Sequence, residues 1–225
     1  MFSPQIPARV VEAYIGEYAS GKSELAINRA LELKYLGHKV TLVDLDTVEP
    51  FYTLRPIKQM LENKGLDVIG FSKEDAFGLG ETGAMLNPAA RWVLWREGDV
   101  ILDIGYGVHG ARTLNLVEGA SESSELRVMA VINYSRPMTA SRQGIIDYIS
   151  NLGRVDAIVA NTHLGDETTL EVIKRGNKAI IEVAKELDIP VDYMAVDRNF
   201  LQKINPEEFG VPVKFIKRYM PKAIW

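Results

Sequence analysis

Eight consecutive residues have the types and spacing that bind a phosphate chain. Gly16-Glu17-Tyr18-Ala19-Ser20-Gly21-Lys22-Ser23 matches the pattern G-x-x-x-x-G-K-S/T, between a short apolar run and a helical pattern. Glycines let backbone N–H groups point at phosphates, and the start of the next helix adds its positive end. Lys22 can then reach the outer phosphates, and Ser23 can ligate Mg²⁺. The pattern predicts a site for a nucleoside triphosphate with magnesium, against the alternative of an ordinary glycine turn.

Three carboxylates follow apolar runs that read as strands. Asp44 and Asp46 end the second run, and Asp103 ends the fourth. The carboxyl ends of parallel strands line one crevice, so we expect these side chains near Ser23. There a carboxylate can hold magnesium or orient a water for attack on the γ-phosphate. A strand-end aspartate is also a common turn-former, and that alternative stays open at each position.

The elements that must position these residues alternate along the chain. Short β-branched runs, most of them separated by helical spacing, predict a mostly parallel central sheet with helices on both faces, a three-layer α/β sandwich. The predicted strands are Arg9–Ile15, Lys39–Val43, Asp67–Ile69, Asp99–Asp103, Arg127–Asn133, Ala157–Asn161 and Val191–Val196.

Two predicted helices have clear sequence signals. Asn87–Pro88 is an N-cap followed by a first-turn proline, and Gly98 ends the element. Trp92 and Trp95 lie three apart on it, so we expect them in the core or in an interface. The apolar spacing of Thr169–Leu187 predicts a longer amphipathic helix.

The composition fits one domain over residues 1–225. Hydrophobic residues make up 47% and charged residues 25%, as in soluble globular proteins. The formal net charge of −4 does not favour a nucleic acid as ligand. With no cysteine, the chain itself can hold no disulfide and no iron–sulfur cluster. We find no secretory signal and no apolar run long enough for a membrane span, and expect a cytoplasmic protein.

Several segments together resemble the MinD/ParA/CobQ-type P-loop ATPases of the SIMIBI class, in particular a branch known only as ATP-binding proteins. The resemblance covers nearly the whole chain. It implies that Lys22 binds phosphates, that Ser23, Asp44 and Asp103 hold Mg²⁺, and that Asp46 activates water. The segments are the phosphate loop, Leu42–Asp46 running into Glu49–Tyr52, Leu102–Gly105, Asn161–Thr168, and the end of the chain with Arg218–Met220 and Trp225.

The same resemblance assigns residues around the base. It implies that Asn161 lies against the base and that the loop Asp197–Asn199, with Arg198, closes over it. We include Glu24, which follows Ser23, in the nucleotide-binding set. A plain strand-end cap remains the alternative for Asn161.

Two departures from the family pattern affect mechanism. Many members have a signature lysine after the first loop glycine that reaches the phosphates of a dimer partner, and this chain has Glu17 there. We therefore expect slow or partner-dependent hydrolysis. GTP-specific relatives read guanine with N-K-x-D, whereas Asn161–Leu164 lacks the lysine and the aspartate, which favours ATP or ADP as the bound nucleotide.

Three functions are compatible with these residues. The leading hypothesis is a magnesium-dependent ATPase that acts as a switch, with an unknown protein partner and a possible homodimer. A ligase or kinase of the CobQ or dethiobiotin-synthetase type would need a basic pocket near Arg55, Arg112 or Arg136. A non-hydrolysing nucleotide-binding module is the third. We expect the basic end, Pro212–Trp225, to pack on the body and not on a membrane, and no role for the three histidines.

Overall fold

One parallel β-sheet runs through the protein. The computed structural model describes residues 9–46, 54–71 and 86–220. Within these residues eight strands form a single sheet in the order β3-β2-β4-β1-β5-β6-β7-β8, with every neighbouring pair parallel. The strands are β1 Val11–Gly16, β2 Val40–Leu45, β3 Asp67–Ile69, β4 Asp99–Ile104, β5 Leu126–Ile132, β6 Ala157–Ala160, β7 Val191–Asp197 and β8 Val213–Ile216.

Helices cover both faces of this sheet. The α-helices are α1 Lys22–Tyr35, α2 Lys58–Asn63, α3 Gly107–Ala111, α4 Arg142–Leu152 and α5 Leu170–Glu186. The apolar residues of α1 and α2 pack on one face, and those of α4 and α5 pack on the other. The predicted three-layer α/β sandwich is confirmed.

The side chains of β5 show why both faces are apolar. Val128 and Ala130 belong to the core under α4 and α5, whereas Met129 and Val131 belong to the core under α1. Successive strand residues point to opposite faces, so a strand buried on both sides must be apolar throughout. This explains the continuous apolar runs of the sequence.

The strand order creates a crevice at the end of β1. The chain moves to one side of β1 to form β2, β3 and β4, and then crosses to its other side to form β5. Ligands of open parallel sheets bind at the carboxyl ends of the strands where this reversal occurs. The phosphate loop leaves β1 at this place.

Each of the seven predicted strands is present, with ends that differ by at most two residues. An eighth, β8, was missed, because it is short, contains Lys214 and is followed by Lys217 and Arg218, so it reads as a basic surface segment. The predicted packing of this region on the body is confirmed for its described part, since β8 pairs with β7.

The element after Asn87 differs from the expectation in two ways. Residues Pro88–Trp95 form a 3₁₀ helix, capped by the Asn87 side chain, which accepts from Ala89 N at 3.0 Å. Trp92 and Trp95 stack on each other at 4.7 Å and are 45% and 67% exposed, so the prediction of a core position was wrong. A short 3₁₀ helix turns these rings away from the sheet.

The described helices include none that is long and apolar enough to cross a membrane. Some predictions fall outside the described residues: Glu49–Tyr52, most of the loop that follows Asp46, and Trp225.

Candidate nucleotide-binding site

The phosphate loop connects β1 to α1 in a tight conformation. Ala19 and Gly21 have φ values of 54° and 96°, which glycine adopts most readily. A Cβ atom on Gly21 would lie 2.3 Å from Asn161 Nδ2, and one on Gly16 would lie 2.5 Å from the carbonyl oxygen of Val131. Both glycines are therefore required sterically. The buried Ser20 hydroxyl has no hydrogen-bond partner among the described residues, as expected in a loop shaped for a ligand.

Lys22 is folded back onto the loop. It begins α1, is 7% exposed, and donates from Nζ to the carbonyl oxygen of Glu17 at 3.0 Å. Burial lowers the pKa of Lys22, and the negative charges of Asp103, Asp46 and Glu17 oppose that change. A buried ammonium group bound to one carbonyl oxygen near carboxylates can exchange that carbonyl for a phosphate oxygen.

Asp44 and Asp103 are neighbours across the sheet. They are paired in register on β2 and β4, and both are buried. Burial, followed by the charge of Asp44, raises the pKa of Asp103 well above its ordinary value, although the nearby Ser23 hydroxyl and the charge of Lys22 oppose this. Two buried carboxylates beside a serine hydroxyl attract a cation.

Ser23, Asp44 and Asp103 have the chemistry of a partial ligand set for Mg²⁺. Magnesium is usually held by one or two carboxylates together with substrate phosphates. The described part of the chain contains no group of three or more histidine, aspartate or glutamate side chains that could hold a metal ion. Ser23, Asp44 and Asp103 would supply the protein side of the shell.

Asp46 and Arg55 adjoin Asp44. The Asp46 N–H donates to Asp44 Oδ1 at 3.0 Å, as in a turn, and β2 ends at Leu45, two residues later than predicted. The buried Arg55 places Nε 4.0 Å from Asp44 Oδ2. Sequence reasoning gave Arg55 a substrate role only, because its distance from Asp44 depends on how the two segments pack.

Glu17 is turned away from the mouth of the loop. Its carboxylate accepts from Met138 N at 3.0 Å and lies 3.1 Å from the Thr139 hydroxyl, which is also 2.6 Å from the Asn133 carbonyl oxygen, and the residue is 8% exposed. The expected repulsion between an acidic side chain and polyphosphate is thereby reduced, because the charge is paired with donors outside the loop. Tyr18 is 39% exposed and packs edge-on against Tyr106.

A cavity opens beyond Gly21, between the ends of β6 and β7. Asn161, His163, Asp197 and Arg218 line it together with Gly21. Asn161 Nδ2 donates to the carbonyl oxygen of Ser20 at 2.8 Å, so the side chain braces the phosphate loop while bordering the cavity. The cavity has the position expected for a base bound next to the phosphates.

Two other predicted residues have different surroundings. Glu24 borders the cavity, but its carboxylate accepts hydrogen bonds from the backbone of Tyr219 and Met220. Arg198 is exposed and lines a separate groove beside Tyr35, so the structure does not bring it to the cavity.

His163 was given no role from sequence, yet it lines the cavity. Burial, followed by the charges of Arg136 and Arg218, lowers its pKa to about 4, against the bond to the Ser20 carbonyl, which raises it. The ring is therefore neutral at neutral pH. Nothing in the sequence signalled this, since the groups that surround it come from distant segments.

Asn177 and Gly176 of α5 contact Thr162 in the loop after β6, and sequence reasoning also missed these two residues. Thr162 N donates to the fully buried Asn177 Oδ1 at 2.9 Å, and a Cβ on Gly176 would lie 2.4 Å from Thr162 Cγ2. Helix α5 thus passes very close to the end of β6. A buried asparagine beside a glycine inside an amphipathic helix was the available signal.

The three arginines suggested for a substrate pocket are not gathered in one place. Arg136 lies near Glu17 and Tyr18, and Arg55 lies at Asp44. Arg112 lines another groove, between α3 and α4, with Asn151 and Leu152. The described residues form no joint basic pocket from these three.

Comparisons with known proteins identify the fold. No protein-family profile and no curated protein sequence matches this chain. Solved structures do: the signal recognition particle receptor FtsY from Elizabethkingia anophelis has a TM-score of 0.57 at 17% identity, over 84% of this chain and 59% of FtsY. The chain has the P-loop NTPase fold.

Two further structures agree. FlhF complexed with GTP/Mg²⁺ has a TM-score of 0.51 at 14% identity, over 83% of this chain and 65% of FlhF. The signal recognition particle 54 kDa protein from Aeropyrum pernix, in complex with GDP, has a TM-score of 0.52 at 21% identity, over 86% of this chain and 42% of that protein. The chain therefore spans less than two thirds of these proteins. At such identities the likeness concerns the fold, and none of the three selects the MinD/ParA branch.

Proposed function

We propose that this chain binds a nucleoside triphosphate with Mg²⁺ at the Gly16–Ser23 loop, prefers ATP, and uses the bound γ-phosphate as a conformational switch. The observation that carries the proposal is the convergence of Lys22, Ser23, Asp44 and Asp103 at the carboxyl ends of β1, β2 and β4. A cation-binding carboxylate pair beside a phosphate loop has the chemistry of a Mg–triphosphate site.

The residues divide the work as follows. Backbone N–H groups of the loop and the start of α1 bind phosphate oxygens, and Lys22 exchanges the Glu17 carbonyl for the outer phosphates. Ser23, Asp44 and Asp103 would hold magnesium, which neutralises charge on the phosphates when bound. Asp46, one residue beyond β2, orients a water for attack on the γ-phosphate.

The preference for ATP is supported by the residues beside the cavity. The loop after β6 carries Thr162 and His163 where guanine-specific relatives carry the lysine of their N-K-x-D motif. His163 is also neutral at neutral pH. The guanine nucleotides bound to FlhF and to the 54 kDa protein make GTP the direct competitor. Both nucleotides belong in the first experiment.

Slow turnover, stimulated by a protein partner, is the second part of the proposal. Glu17 occupies the position of the signature lysine that reaches the phosphates of a dimer partner in related ATPases. Its carboxylate instead contacts Met138 and Thr139. A second copy of the chain, if it binds, would then have to activate hydrolysis by other residues. A module that binds nucleotide without hydrolysing it remains the competing function, favoured by the same observation.

The test is equilibrium binding of Mg-ATP and Mg-GTP to the wild type, to Lys22→Ala and to Lys178→Ala, followed by phosphate release from each sample. Lys178 is an exposed lysine of α5 and serves as the control. We expect binding and release to be lost only in Lys22→Ala. Equal binding by that variant would overturn the nucleotide site, and intact ATP after long incubation with the wild type would favour the non-hydrolysing module.

A further inference from the structure

The chain returns to the phosphate loop after its last strand. Beyond β8, residues 217–220 run along the first turns of α1. Asn28 holds Lys217 at two points: its Oδ1 accepts from Lys217 N at 2.9 Å, and its Nδ2 donates to Lys217 O at 2.8 Å. We call residues 217–220 the C-terminal segment.

Glu24 holds the same segment more strongly. The backbone N–H of Tyr219 lies 2.9 and 2.8 Å from the two oxygens of its carboxylate, and the N–H of Met220 lies 2.6 Å from Oε1. Glu24 is 5% exposed and Met220 is 8% exposed, so these bonds are shielded from water. Hydrogen bonds to a buried carboxylate are stronger than those between neutral groups.

The fastened segment forms one wall of the cavity beside the phosphate loop. Arg218 of this segment lines the cavity together with Ile216, the last residue of β8, and Gly21, Asn161 and His163 line it as well. Arg218 also pairs with Asp166, which belongs to the loop after β6. The wall is therefore tied to α1 on one side and to the β6 loop on the other.

The position of Glu24 excludes a direct role with the phosphates. Its carboxylate oxygens are occupied by N–H donors that come from residues 195 and 196 positions further along the chain. A carboxylate directed at the polyphosphate would repel it. Glu24 follows Lys22 and Ser23 on α1, so the wall is attached to the helix that begins at the phosphate loop.

We propose that Glu24 is a positioning residue that fastens the C-terminal segment as a wall of the base cavity, and so sets affinity for the nucleoside part of the ligand independently of the phosphates. This inference rests on the proposed nucleotide function. The C-terminal segment is then part of the binding site, although it lies beyond the last strand of the sheet.

The experiment compares two ligands that share the phosphate chain. Dissociation constants for Mg-ATP and for magnesium tripolyphosphate are measured with the wild type, Glu24→Ala, Glu24→Gln and Asn28→Ala. The exposed Glu182 of α5 supplies the control Glu182→Ala. We expect Glu24→Ala to weaken ATP binding by about tenfold or more while the tripolyphosphate constant is unchanged. Glu24→Gln, which keeps one acceptor oxygen, should lose less.

Each outcome decides one question. Equal losses for both ligands would mean that Glu24 acts through the phosphate loop, and no loss for either would mean that the wall does not contact the nucleoside; both overturn the inference. A wild type that binds neither ligand refutes the proposed function itself. If Glu24→Ala does not fold, Asn28→Ala decides alone, since it releases the same segment from a side chain outside the cavity lining.

Discussion

The Glu17 carboxylate lies 3.1 Å from the Thr139 hydroxyl, and this contact joins the phosphate loop to the segment that follows β5. The same carboxylate accepts from Met138 N. An acidic residue in the second position of the loop is thereby used as a structural anchor. Movement of the loop on nucleotide binding would be transmitted to the exposed Met138.

Removing this anchor should destabilise the protein. In Glu17→Ala the Met138 N–H loses its acceptor, whereas the Thr139 hydroxyl keeps the Asn133 carbonyl oxygen at 2.6 Å, so we expect unfolding to become easier by about 1 kcal/mol. Glu17→Gln keeps an acceptor oxygen and should lose less. Urea unfolding with and without Mg-ATP measures both effects. Nucleotide affinity of the glutamine variant should stay close to wild type, and a large gain in affinity would show that the Glu17 charge does reach the phosphates.

Replacing a carboxylate of the metal pair should act on magnesium first. Asp103→Asn removes one carboxylate of the pair and should raise the Mg²⁺ concentration needed for ATP binding by about tenfold or more. Titration of Mg²⁺ at fixed ATP measures the shift. Asp147→Asn, which changes an exposed aspartate of α4, is the control. A normal magnesium curve in Asp103→Asn would remove Asp103 from the metal shell.

His163 should make stability depend on pH. Its pKa of about 4 lies below its ordinary value of 6.5, so the folded protein favours the neutral ring. The resulting stabilisation is present above the unfolded pKa and is lost as the pH falls from about 6.5 towards 4. We discount it to about 2 kcal/mol because the residue is only half-buried.

The comparison variant is His163→Gln, with the exposed His109→Gln as control. Urea unfolding at several pH values should show the wild type and the control losing more stability on acidification than His163→Gln. Parallel curves for all three proteins would contradict the low pKa of His163.

The approach of α5 to the end of β6 should be sensitive to one methyl group. Gly176→Ala gains helix propensity but places Cβ 2.4 Å from Thr162 Cγ2, so we expect a net loss of about 2 kcal/mol. Adding Thr162→Ser removes Cγ2 and should recover part of the loss in a double-mutant cycle. Chemical denaturation of the four proteins measures the coupling, and strict additivity would mean that the two side chains do not collide.

Much of the fold follows from local pattern. Apolar runs of strand length between helical stretches predicted seven of the eight strands, because a strand buried on both faces must be apolar along its whole length. The phosphate loop was predicted from eight adjacent residues, since its chemistry depends on their order alone. That Lys22, Asp44 and Asp103 come together follows from a parallel sheet, in which all strands end at one edge.

Other features depend on contacts between residues far apart in the chain. Glu24 meets Tyr219, and Glu17 meets Thr139, across separations of 195 and 122 positions. No periodicity or motif encodes such pairs, because each depends on how helices and loops pack against the sheet. The type and spacing of the residues determined the phosphate chemistry, whereas tertiary packing decided which carboxylates face the site and which ones hold the chain around it.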